Sequence, residues 1–229
     1  MFKHTVIIVT FSLFSSLLFG QEEKKSFFKK LDDQLVVDIC YENFIGKPNN
    51  VNFKWFNNGF NAYYMVNLPF GKSPLSVATG IGISTQSYYS NAQLRTTTDT
   101  VQQLELAEWQ NVAQGVDYRN NKIATTYFEI PIEFRWKSKP SSSGARWQVA
   151  VGGKIAYLFD THDKLVLRNR DKFKTYIFPH MNPIRAGVHT RIGYGKVHLT
   201  AYYGVTPWLN DGRGPQMNQF SVGVSIIPF

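Results

Sequence analysis

Large apolar residues alternate with small or polar ones along most of this chain, and the alternation recurs about eight times with turn-forming residues between the runs. The cleanest run sets Leu75, Val77, Thr79, Ile81 and Ile83 against Ser76, Ala78, Gly80, Gly82 and Ser84. Before it come Leu35, Val37, Ile39 and Tyr41 against Val36, Asp38, Cys40 and Glu42, then Phe60, Ala62, Tyr64, Val66 and Leu68 against Asn61, Tyr63, Met65 and Asn67. After it, Ala124, Phe128, Ile130, Ile132, Phe134 and Trp136 oppose Tyr127, Glu129, Glu133 and Arg135, and Trp147, Val149, Val151, Ile155 and Tyr157 oppose Gln148, Ala150, Gly152 and Lys154. Three more runs follow: Ile184 to Ile192, Val197 to Val205, and a last one in which Phe220, Val222, Val224 and Ile226 oppose Gln219, Ser221, Gly223 and Ser225. A period of two places each set on one face of a strand, so the pattern predicts an all-β domain.

The connections alternate as well. Short ones at 69–73, 137–145 and 193–196 take turns with longer ones at 45–58, 88–122, 160–181 and 207–216. That asymmetry predicts an eight-stranded antiparallel up-and-down transmembrane β-barrel with short periplasmic turns and longer extracellular loops, both termini on the periplasmic side. A soluble barrel or sandwich would satisfy the same alternation with its apolar face inward. Two features favour lipid on the apolar face. The opposite face is rich in Gly, Ala and Ser, which suits a crowded lumen. Aromatic residues (Tyr41, Phe60, Trp136, Trp147, Tyr157, Tyr194, Phe229) fall near strand ends, as interfacial girdles do.

Residues 1–20 add a third. A basic start at Lys3 and His4, an apolar run and small Gly20 make a signal peptide, expected to be cleaved after Gly20. The expected organisation is signal peptide 1–20, periplasmic segment 21–33 and barrel domain 34–229. Removing 1–20 leaves 209 residues and one thiol, Cys40, so no intrachain disulfide staples this exported domain. With Lys3 gone, 24 basic residues face 16 acidic ones, a balance of +8. The basic residues are scattered rather than striped, which argues against nucleic acid and for anionic headgroups or plain solvation.

Three stretches carry a family resemblance: "TTYFEIPIEFRWKS" (125–138), "VAVGGKIAYLFDTH" (149–162) and the tail "YYGVTPWLNDGRGPQMNQFSVGVSIIPF" (202–229). The chain resembles the PorT-like small outer-membrane β-barrel proteins of Bacteroidota-type bacteria. These motifs specify a barrel more than an activity; the resemblance implies a link to protein secretion or gliding machinery. The final strand, with Phe220, Val222, Val224, Ile226 and Phe229, resembles the signal by which the barrel assembly machinery engages a nascent barrel. Pro228 puts Phe229 out of step with the other four, so a bulge or fray is expected near the end.

Eight strands leave a lumen just wide enough for side chains to fill it. The polar face brings Asp38, Glu42, Glu129, Glu133, Arg135, Lys154, Arg185, His189, Arg191 and His198 into it, where opposite charges are expected to pair as a plug rather than to form a proton or ion pathway. Glu129 and Glu133 lie about 13 Å apart by strand rise, too far for an acid pair that shares a proton.

No nucleophile-elbow serine or metal-ligand spacing occurs, and Gly80, Gly82, Gly152 and Gly153 sit inside strands rather than in a phosphate loop. His162, between Asp160 and Asp163, reads as a loop tip rather than a weak metal site. Neither catalysis, a cofactor nor a metal is therefore expected. An outer-leaflet lipid-modifying enzyme and a narrow channel remain the alternatives. The expected partners are outer-membrane lipid, the assembly machinery and an envelope or secretion protein. Loop 88–122 carries Leu104, Leu106, Trp109 and Val112, which need cover from the barrel mouth or a partner. Phe27, Phe28 and Leu31 share one helical face of segment 21–33, which reads equally as a docked helix or as a disordered leader.

Overall fold

A computed structural model describes residues 32–99, 104–113, 115–176 and 180–228. The expected signal peptide, segment 21–31 and Phe229 lie outside the described residues. The described strands are β1 (Asp32–Ile45), β2 (Asn58–Pro69), β3 (Leu75–Tyr89), β4 (Ala92–Asp99), β5 (Leu104–Asn111), β6 (Tyr118–Lys137), β7 (Trp147–Leu167), β8 (Lys172–Thr175), β9 (Ile184–Tyr194), β10 (Val197–Gly204) and β11 (Asn218–Ile226). Eight of them form a closed antiparallel barrel in the order β1-β2-β3-β6-β7-β9-β10-β11, with β11 returning to β1. Closure gives every wall strand two hydrogen-bonded neighbours and leaves no wall edge facing lipid.

The apolar positions face outward. Ile39, Val151, Ile155 and Leu199 are 57–63% exposed, a degree that only an apolar surround tolerates around a whole barrel. Trp136, Trp147 and Tyr194 ring the short-turn end, where the last two rings lie 5.4 Å apart. Tyr41, Phe60, Tyr157 and Phe159 face out nearer the long-loop end.

Three strands stand outside the barrel wall, and they correct the expected loops. Segment 88–122 is not a loop. It is the end of β3, a β4–β5 hairpin in register from Ala92↔Asn111 to Asp99↔Leu104, and the start of β6. Segment 160–181 likewise holds the end of β7 and the short edge strand β8. At 20 and 21 residues, β6 and β7 are about twice as long as a membrane crossing requires. Beyond the membrane the strands no longer separate lipid from lumen, so the apolar-polar alternation that reveals a wall strand fades there.

Two irregularities shape the wall. Thr126 pairs with Asp160 and Tyr127 with Leu158, leaving Phe159 as a bulge that turns its ring outward. Past it the parity of β7 reverses, and Asp163 faces inward. Pro131, which has no N–H, sits where the β3–β6 ladder skips Gly80 and Ile81, and its carbonyl accepts from Thr79 Oγ1 at 3.0 Å.

Closure is directly testable. With Cys40→Ser as background, cysteines at Ile39 and Val224, which are Cα partners across β1 and β11, are expected to form a disulfide in the folded protein. Both Cα separations of an antiparallel ladder lie within disulfide reach. Full-length protein that stays reduced under oxidation at this pair and at Val37 with Ile226 would mean that the barrel does not close through β11.

Candidate functional site

The inward faces of β1, β6, β7, β9 and β10 carry the ten titratable side chains expected in the lumen, and all ten are buried there. Eight of them form two connected clusters. In the first, Glu129 accepts from Tyr63 Oη at 2.6 Å and Ser84 Oγ at 2.6 Å, pairs with Arg185, and has Lys154 Nζ at 3.7 Å. Lys154 donates to Tyr63 Oη at 2.7 Å. The Arg185 guanidinium also lies 3.9 Å from the Tyr127 ring centroid, a cation–π contact. Gly82 makes this possible. A Cβ there would stand 2.2 Å from the Tyr63 ring, so its absence lets the tyrosine lie across the lumen.

In the second cluster Glu133 holds three bases: Arg135 Nε at 2.7 Å, His189 Nε2 at 2.8 Å and Arg191. Arg191 reaches on to Asp38 at 3.2 Å and donates to Ser225 Oγ at 2.8 Å, while Arg135 donates to Gln34. These bonds tie β6 to β9 and β9 to β1, strands that are not neighbours in the wall. Four carboxylates (Asp38, Glu42, Glu129, Glu133) face four arginine or lysine side chains (Arg135, Lys154, Arg185, Arg191), so acidic and basic groups are matched in number without counting histidine. Two members stand apart. Among the described residues, Glu42 accepts from Gln219 Nε2 at 2.8 Å and bridges to no cation, and neither ring nitrogen of His198 has a hydrogen-bond partner.

Sequence reasoning named the charges but missed their uncharged partners Tyr63, Ser84, Gln219 and Ser225. All four lie on the polar parity of their strands, so the alternation itself was the available signal. The cavity left among Glu42, Asn61, Lys154 and Tyr202 is ≈ 10 Å³, room for about one water molecule. Among the described residues the inward side chains form a packed, hydrogen-bonded network.

An aromatic cap lies over it at the long-loop end. Phe44, Tyr88, Trp109, Trp208, Leu209 and Met217 belong to one buried cluster; the Phe44 ring is 4.4 Å from Tyr88 and 5.1 Å from Trp208, and Trp109 stacks on Trp208 at 6.0 Å. The β4–β5 hairpin folds over the mouth to supply Leu94, Ala107 and Trp109. Asn121 Nδ2 donates to the Ala92 carbonyl at 2.8 Å, Gln93 Nε2 to Asp163 at 2.7 Å, and Ala107 N to the Arg213 carbonyl at 2.7 Å. Trp109, expected to need cover, finds it in the barrel mouth; Leu104, Leu106 and Val112 remain partly exposed.

His162 and its neighbours do not converge on a metal. His162 pairs with Asp160 at 3.1 Å on the outward face of β7, whereas Asp163 points inward to Gln93. The segment is a strand, which corrects the expected loop tip. Among the described residues no group of three or more His, Cys, Asp or Glu is arranged to hold a metal ion.

No curated protein matches the chain. Among solved structures it is similar to Ail, the attachment invasion locus protein of Yersinia pestis, at 10% identity and a TM-score of 0.32, covering 85% of this chain and 97% of that one. So weak a likeness supports no argument about this chain. The model of the outer membrane protein beta-barrel domain matches residues 19–211, which runs from the end of the expected signal peptide past β10. A closed barrel with an apolar exterior is what that match requires, and the chain belongs to the outer membrane protein beta-barrel domain family, whose membership implies an outer-membrane location.

Proposed function

We propose that this protein is a non-catalytic, non-conducting barrel of a Gram-negative outer membrane that acts through its extracellular end in interaction or assembly within the cell envelope. The observation that carries the reading is double closure: a charge-balanced network fills the lumen and an aromatic cap with its own hairpin covers the mouth. A channel would leave one of these open. A lipid-modifying enzyme would converge a nucleophile and a base at the outer-leaflet level; His162 there is held by Asp160, but among the described residues no serine, threonine or cysteine is hydrogen-bonded to its ring. The resemblance to PorT-like proteins supports a place beside secretion or gliding machinery. Export by cleavage after Gly20 and insertion by the assembly machinery through Phe220 to Phe229 belong to the same proposal.

In planar bilayers the purified protein is expected to show no unitary conductance at any voltage that leaves the membrane intact. In intact cells, a photo-crosslinker at Glu108 on the exposed face of the hairpin is expected to capture a discrete envelope protein. Reproducible single-channel steps, or turnover of lipid A or phospholipid seen by mass spectrometry, would replace this reading with one of its rivals.

A further inference from the structure

The β6–β7–β8 extension places like charges directly opposite one another. Lys122 on β6 is the Cα partner of Lys164 on β7, and Lys164 is the partner of Lys174 on β8. Three ammonium groups thus form a row across three adjacent strands. Like charges directly opposite in a sheet are destabilising. The row is on the outer surface of the barrel: Lys122 donates to Ser87 Oγ at 3.1 Å and lies 5.5 Å from the Tyr89 ring centroid, both on the outward face of β3.

No carboxylate among the described residues bridges to these lysines, and the nearby acids are engaged elsewhere. Asp160 pairs with His162, Asp163 points to the opposite face, Asp117 pairs with Arg168, and Asp171 accepts from Asn169. Burial, followed by the charges of Lys164 and Lys174, lowers the pKa of Lys122 below the ordinary lysine value.

Height decides what neutralises the row. Trp136 marks the short-turn girdle on the same outward face of β6, fourteen residues from Lys122 (136 minus 122). That separation is about 46 Å along the strand, or about 35 Å along the barrel axis at a tilt near 40°. An outward apolar band is about 25 Å tall, so the lysines stand roughly 10 Å beyond it, in the headgroup layer of the outer leaflet. Tyr89 and Tyr176, the latter 5.7 Å from His162, add interfacial aromatics at this level.

We propose that Lys122, Lys164 and Lys174 form a binding site for the phosphate groups of an anionic outer-leaflet lipid. The phosphate oxygens replace the carboxylates the row lacks, and the acyl chains lie along the apolar wall below. The site is independent of any protein partner at the hairpin.

The test uses the full chain, folded in zwitterionic detergent and titrated with phosphorylated lipid A, its dephosphorylated form, or inorganic phosphate, with binding read by native mass spectrometry. Wild type is expected to prefer the phosphorylated lipid, and neutralisation to glutamine to weaken binding about fivefold per lysine, on the order of 100-fold for all three. Lys→Arg at the three positions is expected to retain it. If the triple variant does not fold, as judged by its mobility on unboiled gels, Lys174→Gln on the exposed edge strand carries the single-site expectation. Lys164→Gln is expected to raise the melting temperature in detergent alone, by relief of repulsion, and to lower it with the phosphorylated lipid present. Equal binding of the two lipids, an undiminished triple variant, a shift of one sign in both media, or full displacement by inorganic phosphate at equal concentration would each overturn the proposal.

Discussion

Glu133→Ala is expected to destabilise the folded barrel by about 3–5 kcal/mol, the loss that follows when one partner of a buried ion pair is removed and the other charges stay. Glu133 is 1% exposed and holds Arg135, His189 and Arg191. Without it, Arg191 retains Asp38 and Ser225, but Arg135 is left with the uncharged Gln34 and Met65. The charge cannot leave by deprotonation, because a guanidinium does not titrate in the accessible range. Adding Arg135→Met to Glu133→Ala removes the stranded charge, and the double variant is expected to lose less than the two single losses summed. Glu42→Gln is the contrast. Its carboxylate meets an amide, not a cation, and the change is expected to stay within about 1 kcal/mol. Urea midpoints of the refolded variants in lipid vesicles check all four, and a Glu133→Ala midpoint equal to that of wild type would show that the network contributes no net stability.

The second large effect falls on the opposite face. Ile130→Arg is expected to destabilise by about 2–4 kcal/mol, the range for an arginine on the lipid face near the bilayer midplane. Ile130 is 46% exposed and lies about 15 Å along the barrel axis from the Trp136 girdle, close to the middle of an apolar band about 25 Å tall. Val205→Arg, just past the end of β10 on the long-loop side, is equally outward but near the interface. It is expected to lose only about 0–1 kcal/mol, since the side chain reaches headgroups and water. Equal losses at the two sites in vesicles would contradict a depth-dependent apolar surround. Ser76→Arg, by contrast, would meet a packed lumen: Ser76 is buried, donates to Asn67 Oδ1 at 2.8 Å and is the Cα partner of Arg135.

How much of this was written in the residue order depends on where along the barrel one looks. Between lipid and lumen every second residue sees a different medium, so Val77 and Ala78, or Ile130 and Glu129, announce their faces by type alone. The eight wall strands, their order, the closing β11 and the set of inward charges were therefore legible as period-two alternation. Where water or protein lies on both sides, that contrast disappears. The hairpin at Ala92 to Asn111 and the extension of β7 past the Phe159 bulge consequently looked like loops.

The sequence by itself determined that the apolar face must be covered, that the charges must sit opposite it, and that short and long connections gather at opposite ends. These follow from one-dimensional spacing and the cost of putting a polar group in lipid. Only the tertiary structure decided which carboxylate meets which cation, because Glu133 reaches Arg191 and Arg191 reaches Asp38 across the lumen from strands that are not neighbours. It likewise decided that Trp109 and Trp208, about a hundred residues apart, stack over the mouth, and that Lys122, Lys164 and Lys174 fall into one row. Cross-strand register and the curvature of a closed sheet set those contacts, and neither leaves a local period in the chain.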